Sequence, residues 1–180
     1  DWLDHRDVKK PFFLFMSYRA PHSFEGPLRD TLDYKEKDWP EIEKAHAAKI
    51  TLLDKQIGRL INKLKEIDEL DNTLILFTSD NGPHFADGGH ELEFFNSNGK
   101  LRGGKRDLYE GGVRVPLIAY WKNKIRPKGK SYHISGFQDI MATFAEIIEY
   151  RFGKNIDGIS FLPTLLHKDQ QKHEYLNWEY

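Results

Sequence analysis

Two oxygen-bearing side chains, Asp80 and Asn81, follow an apolar run at 74–78, from which Ser79 separates them. Their carboxylate and amide oxygens suit a hard cation such as Ca²⁺ or Mg²⁺. Ca²⁺ takes about six to eight ligands, so a complete site would need further ligands from elsewhere. The other interpretation is that both residues cap the turn that begins at Gly82 and Pro83, through local side-chain hydrogen bonds. The spacing alone leaves both interpretations open.

Histidine and lysine side chains in nearby loops suggest an anionic ester as the ligand. His22 follows a second apolar run at 11–18, and Lys105 lies in the glycine-rich stretch 100–112. Beside a cation, lysine can hold charge on the non-bridging oxygens of an ester, and histidine can protonate a leaving group. Each residue is also compatible with an ordinary loop, as a histidine that satisfies its own hydrogen bonds or as a solvated lysine.

A transition-metal site is a separate interpretation of the histidines. His84 and His90 lie near Asp87 and Glu91, and all four are metal-binding residue types. Their spacing does not match the H-E-x-x-H pattern, in which two histidines share one face of a helix. The sequence therefore argues against a site of this kind.

Apolar patterning predicts the elements that must position these residues. The unalternating runs 11–18 and 74–78 are typical of strands buried on both faces of a parallel sheet. A third strand is predicted at 113–121, where Pro116 suggests an irregular or edge position. Apolar residues recur every three or four positions over 41–67, which predicts an amphipathic helix of about seven turns. Strand, helix and strand in this order indicate a crossover unit in a mainly parallel sheet.

The predicted inward face of that helix begins at its first turn. It consists of Ile42, Ala45, Lys49, Leu52, Leu53, Gln56, Ile57, Leu60, Ile61, Leu64 and Ile67. A second helix is predicted at 138–148, with its apolar face turned inward. The stretches 23–40 and 82–112 are predicted loops, and long irregular loops over a rigid sheet commonly carry function. The tail 174–180 alternates apolar and polar residues and is predicted to be a strand.

Composition excludes several classes of protein. The 180 residues are 39% hydrophobic, enough for the core of one domain. With 27 basic and 28 acidic side chains the net charge is -1, which argues against nucleic acid and membrane surfaces as partners. The absence of cysteine excludes disulfides, thiol nucleophiles and Cys-ligated zinc. No apolar run is long enough to span a bilayer. The first residues do not resemble a signal peptide, and the sequence does not begin with an initiator Met. These features suggest a mature product or a piece of a longer chain.

Several motifs in series resemble the sulfatase family, which includes the arylsulfatases, in both order and spacing. They lie at 12–22, 78–82, 101–116, 137–139, Thr143 and 158–163. The resemblance implies an alkaline-phosphatase-like α/β fold of three layers, with a mainly parallel mixed sheet flanked by helices. It also implies hydrolysis of sulfate esters by an enzyme that uses Ca²⁺ and a formylglycine nucleophile made from Cys or Ser.

The resemblance implies roles for individual residues. Asp80 and Asn81 are similar to two of the calcium ligands. Lys105 resembles the lysine that bridges the sulfate and the nucleophile, and His22 resembles the histidine that contacts the sulfate and the leaving-group oxygen. In such enzymes the formylglycine hydrate attacks sulfur, the alcohol leaves, and the second hydroxyl of the hydrate expels sulfate.

Two further residues, His84 and Arg102, lie beside these motifs and are expected to face substrate. The sequence departs from the family pattern at the nucleophile, because Cys or Ser followed by x-Pro-x-Arg does not occur in it. We therefore expect 1–180 to be the C-terminal portion of a sulfatase catalytic domain, without the nucleophile region and the C-terminal subdomain. Such a chain would show no turnover alone and weak or undetectable Ca²⁺ binding, and its exposed sheet edges would favour self-association.

Two alternatives stay open at the level of the sequence. One is an enzyme that hydrolyses phosphate or phosphonate esters with the same architecture. The other is a non-catalytic domain that binds sulfated glycans. The family resemblance implies a sulfated small molecule or glycan as the partner and a periplasmic, secreted or lysosomal location.

Overall fold

The structure is a computed structural model that describes residues 2–22, 32–85, 90–153 and 155–179. Within these residues the chain forms, in order, helix α1 (Trp2–His5), helix α2 (Glu41–Glu66), strand β1 (Ile75–Thr78), helix α3 (Glu110–Val113), strand β2 (Leu117–Tyr120), helix α4 (Gln138–Ile147) and helix α5 (Leu162–Leu165). Short 3₁₀ turns occupy Leu32–Tyr34 and Leu70–Asn72. The described part of the chain is therefore α/β. None of its helices is both long and apolar enough to cross a bilayer.

Helix α2 confirms the predicted helix at 41–67 but differs from it in the first turn. Ile42 is 44% exposed, whereas Glu43 is 1% exposed. The prediction that Ile42 points inward is therefore wrong, because the carboxylate of Glu43 has buried partners that the sequence pattern did not reveal. The buried apolar residues of this helix are Ala45, Ala47, Ala48 and Leu64. Small side chains at the start of the helix allow its neighbours to approach closely.

Strands β1 and β2 form the sheet of the described residues, and they pair antiparallel. Ile75 lies opposite Tyr120, and Thr78 lies opposite Leu117. The hydroxyl of Thr78 also donates to the Pro116 carbonyl over 2.9 Å, beside the end of the pair. Both strands fall within their predicted ranges. The expected parallel arrangement is not found in this pair, because an unalternating apolar run reports burial and carries no information about strand direction.

The faces of this sheet are only partly covered by the described residues. Phe77 is 37% exposed on β1, and Ile118 is 60% exposed on β2. The prediction that the strand at 74–78 is buried on both faces is therefore wrong for the described part of the chain.

The apolar segment 11–18 is not a strand, contrary to prediction. Phe13 is 68% exposed and Phe15 is 77% exposed. A strand needs a partner with which to exchange backbone hydrogen bonds, and no described residue provides one for this segment. The Phe13 ring instead packs edge-on against Phe144 of α4, with 5.4 Å between the ring centroids. The predicted strand at 174–180 is likewise absent over its described residues, 174–179.

Helix α4 confirms the helix predicted at 138–148. A buried carboxylate connects this helix to the segments that follow it. Asp139 is fully buried and accepts hydrogen bonds of 2.8 Å each from the backbone N–H of Gly136, the backbone N–H of Ile159 and Nε2 of His173. The Thr143 hydroxyl donates to the Asp139 carbonyl over 2.7 Å. These bonds give the motif at 137–139 a structural role, because they satisfy buried polar groups on both sides of the contact.

Candidate functional site

Five of the six predicted site residues lie in two loops, 80–84 and 101–112, which we call the site loops. The first loop follows β1, and the second ends in α3. The sixth residue, His22, comes directly after the cis peptide bond between Ala20 and Pro21. Residues far apart in the sequence are therefore brought together by the ends of short elements.

The site loops are joined through their backbones. The Gly82 N–H donates to the Gly112 carbonyl over 2.9 Å, and the Lys105 N–H donates to the Pro83 carbonyl over 2.7 Å. A Cβ atom at Gly82 would lie 1.8 Å from the carbonyl oxygen of Gly111. Only glycine permits so close an approach of two backbones. The glycines of both loops thus allow the loops to form one unit.

The two predicted catalytic side chains meet in this structure. Nζ of Lys105 lies 3.3 Å from Nε2 of His22, although 83 positions separate the two residues. An ammonium group can only donate, so Nε2 of His22 is the acceptor and the proton of the neutral ring is on Nδ1. Lys49 of α2 also approaches, with its Nζ 3.5 Å from the His22 carbonyl. His22 therefore lies beside two amines at an exposed position, where an anion can approach.

The predicted metal ligands, Asp80 and Asn81, lie in the turn after β1. The Asn81 side-chain nitrogen donates to the Gly82 carbonyl over 2.8 Å, and the Ser79 hydroxyl donates to the Asn81 carbonyl over 2.9 Å. The first bond uses the amide nitrogen and not the oxygen that would bind a cation. The carboxylate of Asp80 is exposed. Local hydrogen bonding in the turn and the provision of ligand oxygens are therefore compatible with each other.

The side chains at this position supply only part of what Ca²⁺ requires. Carboxylate and amide oxygens are the right type of ligand, but Asp80 and Asn81 supply far fewer than the ion takes. Within the residues that the structure describes, no group of three or more His, Cys, Asp or Glu side chains is placed to hold a metal ion. These residues therefore fit Ca²⁺ in the type of ligand and not in the number of ligands.

Arg102 is held within its own loop. Its guanidinium carbon lies 3.7 Å from the centroid of the Tyr109 ring, a cation–π contact. Its carbonyl accepts the Gly111 N–H over 2.8 Å. The side chain is exposed. Arg102 can therefore meet a ligand at the surface while Tyr109 orients it.

His84 lies in a cluster of three histidines, apart from the contact between His22 and Lys105. The rings of His46 and His90 stack face to face with centroids 3.8 Å apart. The His84 ring is edge-on to both, at 5.5 Å from His90 and 6.2 Å from His46. Burial, reinforced by the two neighbouring imidazoles, lowers the pKa of His46 to about 4. His46 is therefore neutral at pH 7.

Glu43 anchors this cluster and was missed by the sequence prediction. Its Oε2 atom lies 2.5 Å from Nδ1 of His90, and its Oε1 atom accepts the backbone N–H of Glu91 over 2.8 Å. One signal could have revealed it, since Glu43 and His46 are three positions apart and share one face of α2. A buried carboxylate thus ties the long helix to the segment between the site loops.

A separate cleft of about 590 Å³ lies between the apolar segment 11–18 and α2. Its lining includes Leu14, Met16, Tyr18 and Leu60 and none of the six predicted site residues. Size alone would favour this cleft as a ligand site. The convergence of charged and titratable groups favours the site loops instead.

Comparison with known proteins identifies the family to which this arrangement belongs. The family model described as Sulfatase matches residues 1–150. The chain belongs to the sulfatase family. It is 32% identical over 177 residues to the uncharacterized sulfatase YdeN of Escherichia coli (strain K12), an alignment that covers 96% of this chain and 30% of that protein. It is also 37% identical over 134 residues to the N-acetylgalactosamine-6-O-sulfatase of Bacteroides thetaiotaomicron, with 71% of this chain and 26% of that protein covered.

A solved structure is similar in fold to this chain. The crystal structure of Ps i-CgsB in complex with k-i-k-neocarrahexaose superposes with a TM-score of 0.81 and 27% sequence identity. The superposition covers 94% of this chain and 37% of that one. This sulfatase-family chain thus spans about a third of the length of the relatives it matches.

Proposed function

We propose that this sulfatase-family chain forms part of an enzyme that hydrolyses sulfate esters. The observation that supports the proposal most is the 3.3 Å contact between Lys105 Nζ and His22 Nε2, made across 83 residues of a chain that matches the family. Hydrolysis of a negatively charged ester benefits from a cationic donor that binds the anionic oxygens and from an imidazole that transfers a proton. Lys105 and His22 supply these two groups.

In this proposal Lys105 binds a non-bridging oxygen of the sulfate. An ammonium group has three donors, so Lys105 can hold the anion and still donate to His22. Charge that develops on the sulfate oxygens in the transition state would strengthen this contact. His22 acts as an acid only in the state that carries a proton on Nε2. In that state Nε2 no longer accepts from Lys105 and can donate its proton to the oxygen of the leaving alcohol.

The nucleophile of the proposed reaction is formylglycine, which would supply the attacking hydroxyl. The motif from which formylglycine would be made does not occur in this sequence. We therefore propose that the 180-residue chain binds sulfate groups without turning them over. Of the remaining site residues, His84 and Arg102 would contact the part of the substrate outside the sulfate.

We propose a sulfated carbohydrate as the substrate class. Of the relatives, one is named an N-acetylgalactosamine-6-O-sulfatase, and the structure with a TM-score of 0.81 is a complex with k-i-k-neocarrahexaose. We further propose that the complete catalytic domain has three layers and a mainly parallel mixed sheet, to which β1 and β2 contribute. A periplasmic, secreted or lysosomal location follows from the same family assignment and belongs to the proposal.

Titration of the chain with inorganic sulfate by calorimetry tests the sulfate-binding role of Lys105. We expect saturable binding that is weakened roughly tenfold or more in Lys105→Gln, since a hydrogen bond to a charged group contributes about 1.5–3 kcal/mol. Lys100→Gln is the matched control, because Lys100 is an exposed lysine just before the same loop. Equal binding by the wild type and both variants, or no binding by the wild type, would contradict the proposal.

We propose that Asp80 and Asn81 contribute two of the ligands of a Ca²⁺ ion. Calorimetric titration with Ca²⁺ should show weak or undetectable binding by the chain, because two oxygen ligands do not complete the site. The variant with Asp80→Ala and Asn81→Ala provides the comparison. Micromolar binding that is unchanged in this variant would show that other residues hold the ion.

A further inference from the structure

The histidine cluster contains a buried polar group that sulfate binding by His22 and Lys105 does not explain. Glu43 is 1% exposed and His90 is 2% exposed. Buried carboxylates are uncommon unless they are paired, and here both oxygens of Glu43 are used, one by His90 and one by the backbone of Glu91. A group so fully satisfied fixes its partners in one geometry.

A metal-binding role for the cluster does not agree with its geometry. His46 and His90 stack with an interplanar angle of 8°. Their in-plane nitrogen lone pairs therefore lie in nearly parallel planes and do not converge on one point.

The hydrogen bonds determine which ring nitrogens carry protons. Nδ1 of His90 faces the carboxylate of Glu43, and Nδ1 of His84 lies 2.9 Å from the Phe85 carbonyl. Carboxylate and carbonyl oxygens accept hydrogen bonds, so both histidines carry a proton on Nδ1. Nε2 of the neutral His84 ring is then an acceptor. That atom is shielded from solvent and has no hydrogen-bond partner among the described residues.

A chain of contacts connects Glu43 with His84. The hydrogen bond to Glu43 fixes the His90 ring. The His90 ring in turn packs edge-on against the His84 ring, with 5.5 Å between the ring centroids, and limits how that ring can turn. His46, which is neutral, covers the other face of His90. The residue before His84 is Pro83, whose carbonyl receives the Lys105 N–H. The cluster therefore adjoins the backbone bond that joins the site loops.

We propose that Glu43 and His90 are positioning residues for the His84 ring, whose Nδ1–H tautomer is fixed by the Phe85 carbonyl, so that its unprotonated Nε2 can accept from a hydroxyl or amino donor of the substrate. This inference rests on the proposed function, in which His84 contacts the substrate. An unpaired buried acceptor is uncommon in proteins and is expected where a ligand later supplies the donor.

Nitrogen-15 NMR of the histidine rings of the 180-residue chain at pH 7 tests the proposal without requiring turnover. In the wild type we expect His84 and His90 to be protonated at Nδ1 and not at Nε2. In Glu43→Gln the single amide oxygen is required by the backbone N–H of Glu91, so the amide NH2 faces Nδ1 of His90. Two donors cannot face each other, so the His90 tautomer should change and the His84 ring signals should shift. Glu41→Gln is the matched control, since Glu41 is an exposed glutamate on the same turn of α2.

Each outcome of this experiment decides the proposal. A wild-type His84 protonated at Nε2 would overturn it, even if Glu43→Gln does not fold. Unchanged His84 signals in a folded Glu43→Gln variant would also overturn it. A shift of His84 in Glu43→Gln and not in Glu41→Gln would support it. If the same chain fails to bind inorganic sulfate, the proposed function fails while the positioning of His84 stands.

Discussion

The site loops and the apolar segment 11–18 both stand out in the sequence, but they differ in whether the structure supplies partners for them. The site loops are joined by backbone hydrogen bonds of 2.7 Å and 2.9 Å, which connect residues of one loop to the other. The segment 11–18 has exposed phenylalanines and no strand partner among the described residues. The two site loops provide each other's backbone partners, whereas the predicted strand at 11–18 has no partner among the described residues.

The site loops carry the candidate functional side chains, whereas the sheet and the segment 11–18 belong to the supporting structure. Backbone hydrogen bonds between described residues join Lys105 to Pro83 and Gly82 to Gly112. The sheet that would support a larger catalytic domain is represented by one antiparallel pair of four-residue strands. Changes in the site loops should therefore have large effects, and changes in the apolar segment should have small ones.

The largest effect is expected from Gly82→Ala. The added Cβ would overlap the Gly111 carbonyl, and neither backbone can move without breaking the bonds between the loops. We expect a loss of about 3 kcal/mol or more in the free energy of unfolding, measured by chemical denaturation. Gly58→Ala is the control, because a Cβ at Gly58 meets nothing within 4 Å. That helical substitution should raise stability by about 0.5–1 kcal/mol, and similar effects of both changes would contradict the account.

Glu43→Gln should have the next largest effect. It weakens hydrogen bonds from His90 and Glu91 to a buried carboxylate, which contribute about 2–3 kcal/mol together. Glu41→Gln removes an exposed carboxylate paired with Lys44 on the same helix and should change stability by about 0.5 kcal/mol or less. Denaturation of the two variants side by side measures the difference. Equal losses would show that the buried pair does not stabilise the cluster.

The pH dependence of stability should depend on His46. The unfolded chain takes up a proton near the ordinary pKa of 6.5, whereas burial holds the pKa of the folded residue at about 4. The contribution of the neutral His46 ring to the free energy of unfolding is therefore fully present above pH 6.5 and is lost as the pH falls toward 4. The groups that face His46 are Glu43 and Lys49 on its own helix and His84 and His90 opposite.

Thermal unfolding between pH 7 and pH 4.5 measures this contribution. The unfolding temperature of the wild type should fall with decreasing pH, and His46→Phe should make that fall shallower while keeping a ring stacked on His90. Parallel pH profiles for the wild type and the variant would show that His46 does not account for the dependence.

The smallest effect on stability is expected in the apolar segment. Phe15→Lys changes a side chain that is 77% exposed, so the free energy of unfolding should stay within about 0.5 kcal/mol of the wild type. We expect the wild-type chain to self-associate through this segment and the exposed sheet edges, and we expect the variant to do so less. Sedimentation velocity over a range of concentrations measures this association. A wild-type chain that is monomeric throughout would contradict the expectation.

Features set by nearby residues are predictable from the sequence, and features set by distant residues are not. The long helix and the helix at 138–148 are found because apolar periodicity is a local property. The proximity of His22 and Lys105 was expected from the resemblance to a family, since no spacing rule relates residues 83 positions apart. Strand direction, the exposure of Phe13 and the burial of Glu43 were not predicted, because each depends on what packs against the residue in three dimensions.

Nitrogen-15 NMR of the His22 ring, with and without inorganic sulfate, tests whether His22 and Lys105 form an anion-binding pair. We predict that Nε2 of His22 is unprotonated and accepts from Lys105, that its signal moves in Lys105→Gln, and that sulfate moves it in the wild type and much less in the variant. A His22 ring that responds neither to Lys105→Gln nor to sulfate would contradict the claim that these two residues form an anion-binding pair.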